Sequence, residues 1–173
     1  LVIFLGDHGW YDKRFMYEES LRMPFLVSWP CRIQPATTND AMILNVDFAP
    51  TFLELAGLSV PADMQGRSLV PVLKGQVPTD WRKSFYYHYY EYPSPHHVRP
   101  HYGVVTERYK LVHFYVPDVN YWELYDLEAD RTELENLADQ QPEKARELRV
   151  KYEQWAQRCG VVPWNELNRK RAK

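Results

Sequence analysis

Cysteine is scarce in this sequence, and its scarcity excludes one class of folds. The 173 residues include only Cys31 and Cys159, and neither lies in a Cys-x-x-Cys or Cys/His ligand spacing. A disulfide framework or a common zinc site needs more such residues at shorter intervals. The chain must therefore fold around its hydrophobic residues, which make up 45% of it.

Charge of a single sign and long apolar runs are also lacking. The 21 basic and 23 acidic residues give a formal net charge of -2, so composition alone creates no general attraction to nucleic acid or to an anionic membrane. No apolar run approaches the roughly 20 residues that a membrane-spanning helix requires. We therefore expect neither nucleic acid nor a membrane as a partner, and the sequence leaves the oligomeric state open.

Three common catalytic motifs are missing as well. The sequence contains no Gly-x-Ser-x-Gly, no Gly-x-x-x-x-Gly-Lys-Ser/Thr and no Gly-x-Gly-x-x-Gly. A hydrolase nucleophile elbow, a P-loop and a dinucleotide-binding turn thus lose their main support.

Apolar patterning predicts an α/β chain whose first part covers residues 1–80. The run Leu1–Leu5 is typical of a strand that is buried on both faces in a parallel sheet, and Pro24–Trp29 predicts a second buried strand. Asp47 is a plausible N-cap for a helix through Ala56. A stretch rich in proline and glycine then marks the boundary of this part.

The second part, residues 81–160, is predicted to be an antiparallel meander followed by a helix. Strand-like runs occur at Ser84–Tyr92, Tyr102–Thr106, Tyr109–Tyr115 and Trp122–Leu127. Glu107–Arg108 suits a tight hairpin. Apolar residues at three- and four-residue steps predict a helix from about Pro142 to Gln157. Residues 161–173 form a basic tail.

The densest polar cluster follows the first predicted strand. Asp7, His8, Asp12, Lys13 and Arg14 lie within eight positions there, at the sheet edge where open α/β folds bind ligands. Asp7 and His8 offer oxygen and nitrogen ligands to a divalent metal. Lys13 and Arg14 can neutralise a sulfate or a phosphate. A solvated polar loop without a function explains the same residues equally well.

Histidines form a second concentration. His96 and His101 lie in the loop of residues 93–101, which is long enough to fold over a cleft. Their spacing does not fit a zinc site, so ordinary surface histidines are the favoured interpretation. His88 and His113 fall inside strand patterns, and we expect them to be structural.

The stretch Leu5–Pro24, with Leu-Gly-Asp-His-Gly-Trp-Tyr-Asp-Lys-Arg at its start, closely resembles the active-site segment of type I sulfatases of the alkaline phosphatase superfamily. Further segments resemble the same family, and they are Val46–Thr51, Gln65–Leu69, Trp122–Leu127 and Glu135–Ala138. The resemblance covers nearly all residues through Gly160. It implies the carboxyl-terminal part of the sulfatase sheet domain, followed by a small α+β module with an antiparallel sheet.

The resemblance also implies a reaction and its residues. Type I sulfatases hydrolyse sulfate esters, often on sugars, with a formylglycine made from the Cys of Cys-x-Pro-x-Arg and with a calcium ion. Lys13 occupies the place of the lysine that contacts the sulfate, and with His8 it is a catalytic candidate. Arg14 and His101 join Lys13 as substrate-binding candidates, and Asp7 and His8 are the candidate metal ligands. The implied partner is a sulfated small molecule or carbohydrate.

Two alignments with the family stay open. Asp7–His8 is either the metal pair itself or part of the second active-site segment that follows a separate metal-binding motif in many relatives. The nucleophile has no match under either alignment, since neither Cys31 nor Cys159 begins Cys-x-Pro-x-Arg. We therefore expect that this chain alone hydrolyses no sulfate ester.

Two other functions compete with this interpretation. One is a phosphodiesterase or phosphonate hydrolase of the same superfamily. The other is a non-catalytic module in which the aromatic sheet and the loop His96–His101 hold a sulfated sugar. The cellular compartment can be inferred only from the family that the chain resembles, whose members are usually periplasmic, secreted or lysosomal.

Overall fold

The computed structural model describes residues 1–6, 9, 13–93, 95 and 97–161. The chain divides into two compact units, the first made of Leu1–Leu5 and Pro24–Lys83, the second of Gly6–Met23 and Ser84–Lys173. The first unit ends at Lys83, whereas the sequence predicts a boundary at residue 80, and Gly6–Met23 group with the second unit. The predicted domain limits themselves stay a prediction, and the basic tail from residue 162 lies outside the described residues.

The elements follow one another along the chain as β1 (Val2–Leu5), α1 (Glu18–Leu21), β2 (Phe25–Ser28), a 3-10 turn (Asn45–Asp47), α2 (Phe48–Leu55), α3 (Val70–Leu73), β3 (Ser84–Tyr89), β4 (His101–Thr106), β5 (Tyr109–Val116), β6 (Val119–Asp126) and α4 (Pro142–Arg158). Each strand and helix predicted above is present, and its ends shift by at most three residues. No helix in the described part of the chain is long and apolar enough to cross a bilayer.

The sheet of the first unit corrects one prediction. β1 and β2 pair antiparallel, with Val2 opposite Ser28 and Phe4 opposite Leu26, so the expected parallel sheet is wrong for these strands. They are also not buried on both faces, because Val2, Phe4 and Leu26 are 67%, 64% and 64% exposed. An unbroken apolar run fits strands of either direction, and which faces are covered depends on residues distant in sequence.

Asp47 holds the first unit together. The core of this unit is formed by Leu69, Val72 and Trp81. Fully buried Asp47 accepts hydrogen bonds of 2.8 Å from the backbone N–H groups of Leu44 and Arg67. Both Nη atoms of Arg82 also donate to this carboxylate, Nη2 over 2.6 Å. Asp47 does occupy the N-cap position of α2, but its side chain makes no capping bond to that helix.

The second unit is built on a four-stranded antiparallel sheet in the order β3-β4-β5-β6, which confirms the predicted meander. The hairpin predicted at Glu107–Arg108 joins β4 to β5. On one face of the sheet, Leu148 of α4 packs into a buried cluster with Val104, Leu111 and Leu124. The opposite face carries residues that precede the sheet in sequence.

Candidate functional site

Residues 13–21 of the predicted active-site segment lie against this second face. Met16 is 1% exposed and belongs to a core cluster with Val105, Val112 and Phe114. The contact requires a glycine at position 103, because a Cβ there would lie 2.9 Å from Met16 Cε and 2.0 Å from the Leu111 carbonyl oxygen. We call residues 13–21 the anchored segment.

Arg14, the second residue of the anchored segment, has an unusual backbone conformation. Its φ angle is 83°, a left-handed value that is unfavourable for a residue with a Cβ. The Tyr87 hydroxyl donates a 2.8 Å hydrogen bond to the Arg14 carbonyl oxygen. Nη2 of Arg14 lies 3.6 Å from Glu91 Oε2, whereas its buried Nη1 has no hydrogen-bond partner in the described part of the chain. One end of the guanidinium therefore retains donor capacity.

Aromatic rings fix the middle of the anchored segment. The Phe15 ring centroid lies 5.6 Å from that of Tyr17 and 5.6 Å from that of His101. The Tyr17 hydroxyl donates to Glu123 Oε2 over 3.1 Å. Burial raises the pKa of Tyr17 and the neighbouring Glu123 charge raises it further. Burial likewise raises the pKa of the Glu123 carboxyl, against the opposing hydrogen bond from Tyr17.

Charged groups fix the end of the anchored segment. Lys110 on β5 is fully buried, and its Nζ lies 2.9 Å from Glu18 Oε1 and 2.7 Å from Glu133 Oε1. The backbone N–H of Glu18 donates to Glu133 Oε2 over 2.6 Å. Desolvation raises the pKa of Glu133, although the nearby Lys110 charge opposes that shift.

His101, predicted to bind substrate, is buried behind this segment. Its ring is 0% exposed, and its centroid lies 5.0 Å from Phe114 and 5.8 Å from Tyr87. Nδ1 is 2.8 Å from the Arg99 carbonyl oxygen, and buried Nε2 has no partner among the described residues. Burial lowers the pKa of His101. A ligand that approaches from solvent has no direct access to this ring in the described structure, and a binding role for it stays a prediction.

The remaining predicted site residues divide into two groups. Lys13 is described and exposed at the start of the anchored segment. Asp7, His8 and Asp12 lie outside the described residues. Among the residues with a described position, no group of three or more His, Cys, Asp or Glu side chains could hold a metal ion. The metal ligands therefore stay a prediction.

Two other histidines have structural partners, as expected. His88 Nε2 lies 2.8 Å from the Tyr115 hydroxyl. His113 Nδ1 lies 2.7 Å from the Tyr102 hydroxyl, and its Nε2 lies 2.9 Å from Asn120 Oδ1. These bonds confirm that neither ring is a free ligand on the sheet.

The residues that support the anchored segment were not predicted from the sequence. Tyr87, Glu123 and Glu133 gave no pattern of their own. Lys110 did give a signal, because it alternates with Val112 and Phe114 on the apolar face of β5. A lysine at such a position is seldom fully buried unless it is paired, so its partners had to come from elsewhere in the chain.

Known proteins share both the sequence and the fold. The model of the family described as N-sulphoglucosamine sulphohydrolase, C-terminal, matches residues 6–158. An N-acetylglucosamine-6-O-sulfatase from Bacteroides thetaiotaomicron is 56% identical over 136 residues, which are 78% of this chain and 24% of that protein. A solved structure of a protein in complex with its substrate D-glucosamine-2-N,6-O-disulfate is 50% identical, with a TM-score of 0.78 over 90% of this chain and 32% of the other.

A phosphonate monoester hydrolase from Silicibacter pomeroyi is 23% identical, with a TM-score of 0.72 over 92% of this chain and 35% of that one. At that identity the likeness shows the fold alone.

The predicted fold class, an α/β part with an antiparallel-sheet module of the sulfatase type, is confirmed by these neighbours. The chain spans 24% of the length of the N-acetylglucosamine-6-O-sulfatase and 32% of the solved chain that holds the glucosamine disulfate. Because the family model covers residues 6–158 of 173, this chain belongs to the family of N-sulphoglucosamine sulphohydrolase carboxyl-terminal domains.

Proposed function

We propose that this chain is the carboxyl-terminal part of a sulfatase that hydrolyses sulfate esters of amino sugars, with a 6-O-sulfated glucosamine as the substrate class. The observation that carries the proposal is the anchored segment, which presents exposed Lys13 and adjacent Arg14 from a fixed position on the sheet. The 56% identity to an N-acetylglucosamine-6-O-sulfatase supports the choice of sugar.

Lys13 contacts the sulfate in this proposal. Its ammonium carries a compact charge and three donors, which suit the oxygens of a sulfuryl group. Negative charge that builds on these oxygens and on the leaving oxygen in the transition state is stabilised by a cation already in place. Lys13 is thus both a binding and a catalytic residue.

Arg14 orients the sugar. Its side chain is 24% exposed, and a guanidinium offers several N–H donors in a fixed plane. A hydroxyl or an anionic oxygen of the substrate would accept from the exposed part of this group. Since the Tyr87 bond fixes the backbone of Arg14, the side chain starts from a defined position.

His8 and Asp7 complete the proposed site as catalytic and metal-binding candidates. Membership in a sulfatase family supports a metal-dependent parent reaction, and calcium is our proposal for that metal. When bound, the ion would orient the sulfate and withdraw charge from it.

The test begins with binding. Glucosamine 6-O-sulfate and unsulfated glucosamine are titrated into the 173-residue chain by calorimetry at two salt concentrations. We expect only the sulfated sugar to bind, more weakly at high salt. Lys13→Ala should weaken binding about tenfold, the loss of one charge-assisted hydrogen bond. Lys83→Ala, an exposed lysine of the first unit, is the matched control and should bind as the unaltered chain does.

Turnover separates the competing functions. A parent protein that contains these residues should release sulfate from the sugar, and Lys13→Ala should reduce its kcat. Faster turnover of a phosphonate or phosphodiester would favour the other hydrolase class, and saturable binding without turnover would favour a sugar-binding module. Turnover of an aryl sulfate by the 173-residue chain itself would contradict the expectation that it lacks the nucleophile.

A further inference from the structure

We propose that Lys110 is a positioning residue, which fixes the anchored segment through the carboxylates of Glu18 and Glu133. This inference deepens the proposed function and rests on it, because the anchored segment begins with the sulfate-binding candidates Lys13 and Arg14. Lys110 itself is fully buried and has no access to a sugar.

The three charged groups form a network with little water around it. The side chains of Lys110 and Glu133 are 0% and 3% exposed, and that of Glu18 is 24% exposed. Lys110 Nζ donates a hydrogen bond to Glu18 Oε1 over 2.9 Å. Its 2.7 Å contact with Glu133 Oε1 is an ion pair without good hydrogen-bond alignment. One ammonium therefore balances two carboxylates, and removing it would leave buried Glu133 and partly exposed Glu18 without a counter-charge.

Helix α1, which contains Glu18, is too short to be stable without contacts to the rest of the fold. α1 has four residues, and its N-cap residue Tyr17 makes no side-chain capping bond. A helix of that length has no intrinsic stability in water. Its first N–H group, that of Glu18, finds its acceptor in Glu133 Oε2, 115 positions away in the sequence. The position of α1 is thus set by β5 and by the loop after β6.

Glu133 is held ready for this contact. Its φ angle is 56°, which costs a residue with a Cβ free energy that the surrounding contacts must offset. The carboxylate serves two elements at once, because Oε1 faces Lys110 and Oε2 accepts from Glu18. Lys110 and Glu133 thereby couple the loop after β6 to the segment that carries Lys13.

Amide hydrogen exchange tests this coupling on the 173-residue chain. The reporter amides are those of Ser20, Leu21 and Arg22, whose N–H groups close α1. Lys110→Met should accelerate their exchange at least about tenfold at a temperature where amides of β4 and β5 stay protected. Leu111→Ala, a fully buried neighbour whose side chain packs on the opposite face, is the control for general destabilisation and should accelerate them less than about threefold.

A second variant separates positioning from packing. Lys110→Met combined with Glu133→Gln removes one unpaired carboxylate and keeps an oxygen for the Glu18 N–H, so it should restore much of the protection. A cavity effect would not be restored in this way. If Lys110→Met does not fold, Glu18→Gln carries the test, since it removes the charge on α1 that pairs with Lys110, keeps the bond from the Glu18 N–H to Glu133 and should accelerate the same amides about tenfold.

Binding of glucosamine 6-O-sulfate provides the functional arm. Its Kd should rise about tenfold in Lys110→Met and recover in the double variant. If Lys110→Met leaves the exchange of the reporter amides unchanged, or accelerates it no more than Leu111→Ala does, the positioning role of Lys110 is wrong. If the unaltered chain binds no sulfated sugar, the proposed function fails, and the exchange result still decides whether Lys110 positions the segment.

Discussion

The Tyr87 hydroxyl donates a 2.8 Å hydrogen bond to the carbonyl oxygen of Arg14, a residue with a left-handed φ of 83°. This bond ties the first residues of the anchored segment to β3. It lies on the face of the sheet opposite α4, and it supports the backbone that carries the two basic side chains proposed to bind substrate.

Replacement of Tyr87 by Phe should therefore destabilise the chain modestly. It removes one neutral hydrogen bond and leaves a half-buried carbonyl unsatisfied, which costs about 1 kcal/mol and should lower Tm by about 2–4 °C. Tyr86→Phe is the control, because the Tyr86 hydroxyl makes no hydrogen bond within the described structure. Equal Tm values for the two variants in calorimetry would contradict a stabilising role for the Arg14 bond.

Asp47→Asn should be far more costly. The Asp47 carboxylate is 0% exposed and pairs with Arg82, whose side chain is 9% exposed, so loss of the charge leaves a guanidinium almost buried without a counter-ion. Breaking such a pair lowers the free energy of unfolding by about 3–5 kcal/mol. The midpoint of urea unfolding should fall accordingly. Asp80→Asn at the exposed Arg67–Asp80 pair should cost less than about 1 kcal/mol. Similar midpoints for both variants would refute the role of Asp47.

The stability of the second unit should fall as the pH falls below about 6.5. Burial, with a smaller contribution from the nearby His101, lowers the pKa of His88 to about 4. Between pH 6.5 and about pH 4 the unfolded chain binds a proton at His88 that the folded chain does not. Each pH unit in this range therefore lowers the free energy of unfolding by at most about 1.4 kcal/mol for this histidine. Partial contact of the ring with water reduces that amount.

His88→Gln isolates this contribution. Glu123 and Glu133 have raised pKa values and act in the opposite direction, because their protonation on acidification favours the folded state. They are the same in both proteins, so the variant should show a flatter decline of Tm from pH 7.5 to pH 5.0. Parallel curves for the two proteins would show that His88 titrates alike in both states.

Periodicity in the sequence was enough to predict the second sheet and its covering helix. Leu148, Tyr152 and Trp155 recur on one face of α4, and that face packs against the sheet, because a helical repeat of apolar residues has one way to be buried. The β4–β5 hairpin was found for a similar reason, as two strand patterns separated by two residues leave room only for a tight turn.

The anchored segment could be recognised from its residues but not placed. Its likeness to a sulfatase segment identified Lys13 and Arg14 as candidates, yet nothing local linked Tyr87 to Arg14. The strands β1 and β2 were found by their apolar runs, but their antiparallel pairing and their exposed face were not, since partner and cover are set by other parts of a fold.

By itself, the sequence determined the elements, the meander, the final helix and the family, because these depend on residues within a few positions of one another or on a contiguous motif. Only the tertiary structure decided that Lys110 meets Glu18 across 92 positions and that His101 is enclosed by rings from β3, β5 and the anchored segment. A buried charge or an enclosed imidazole is defined by what surrounds it in space, and those neighbours are brought together by folding.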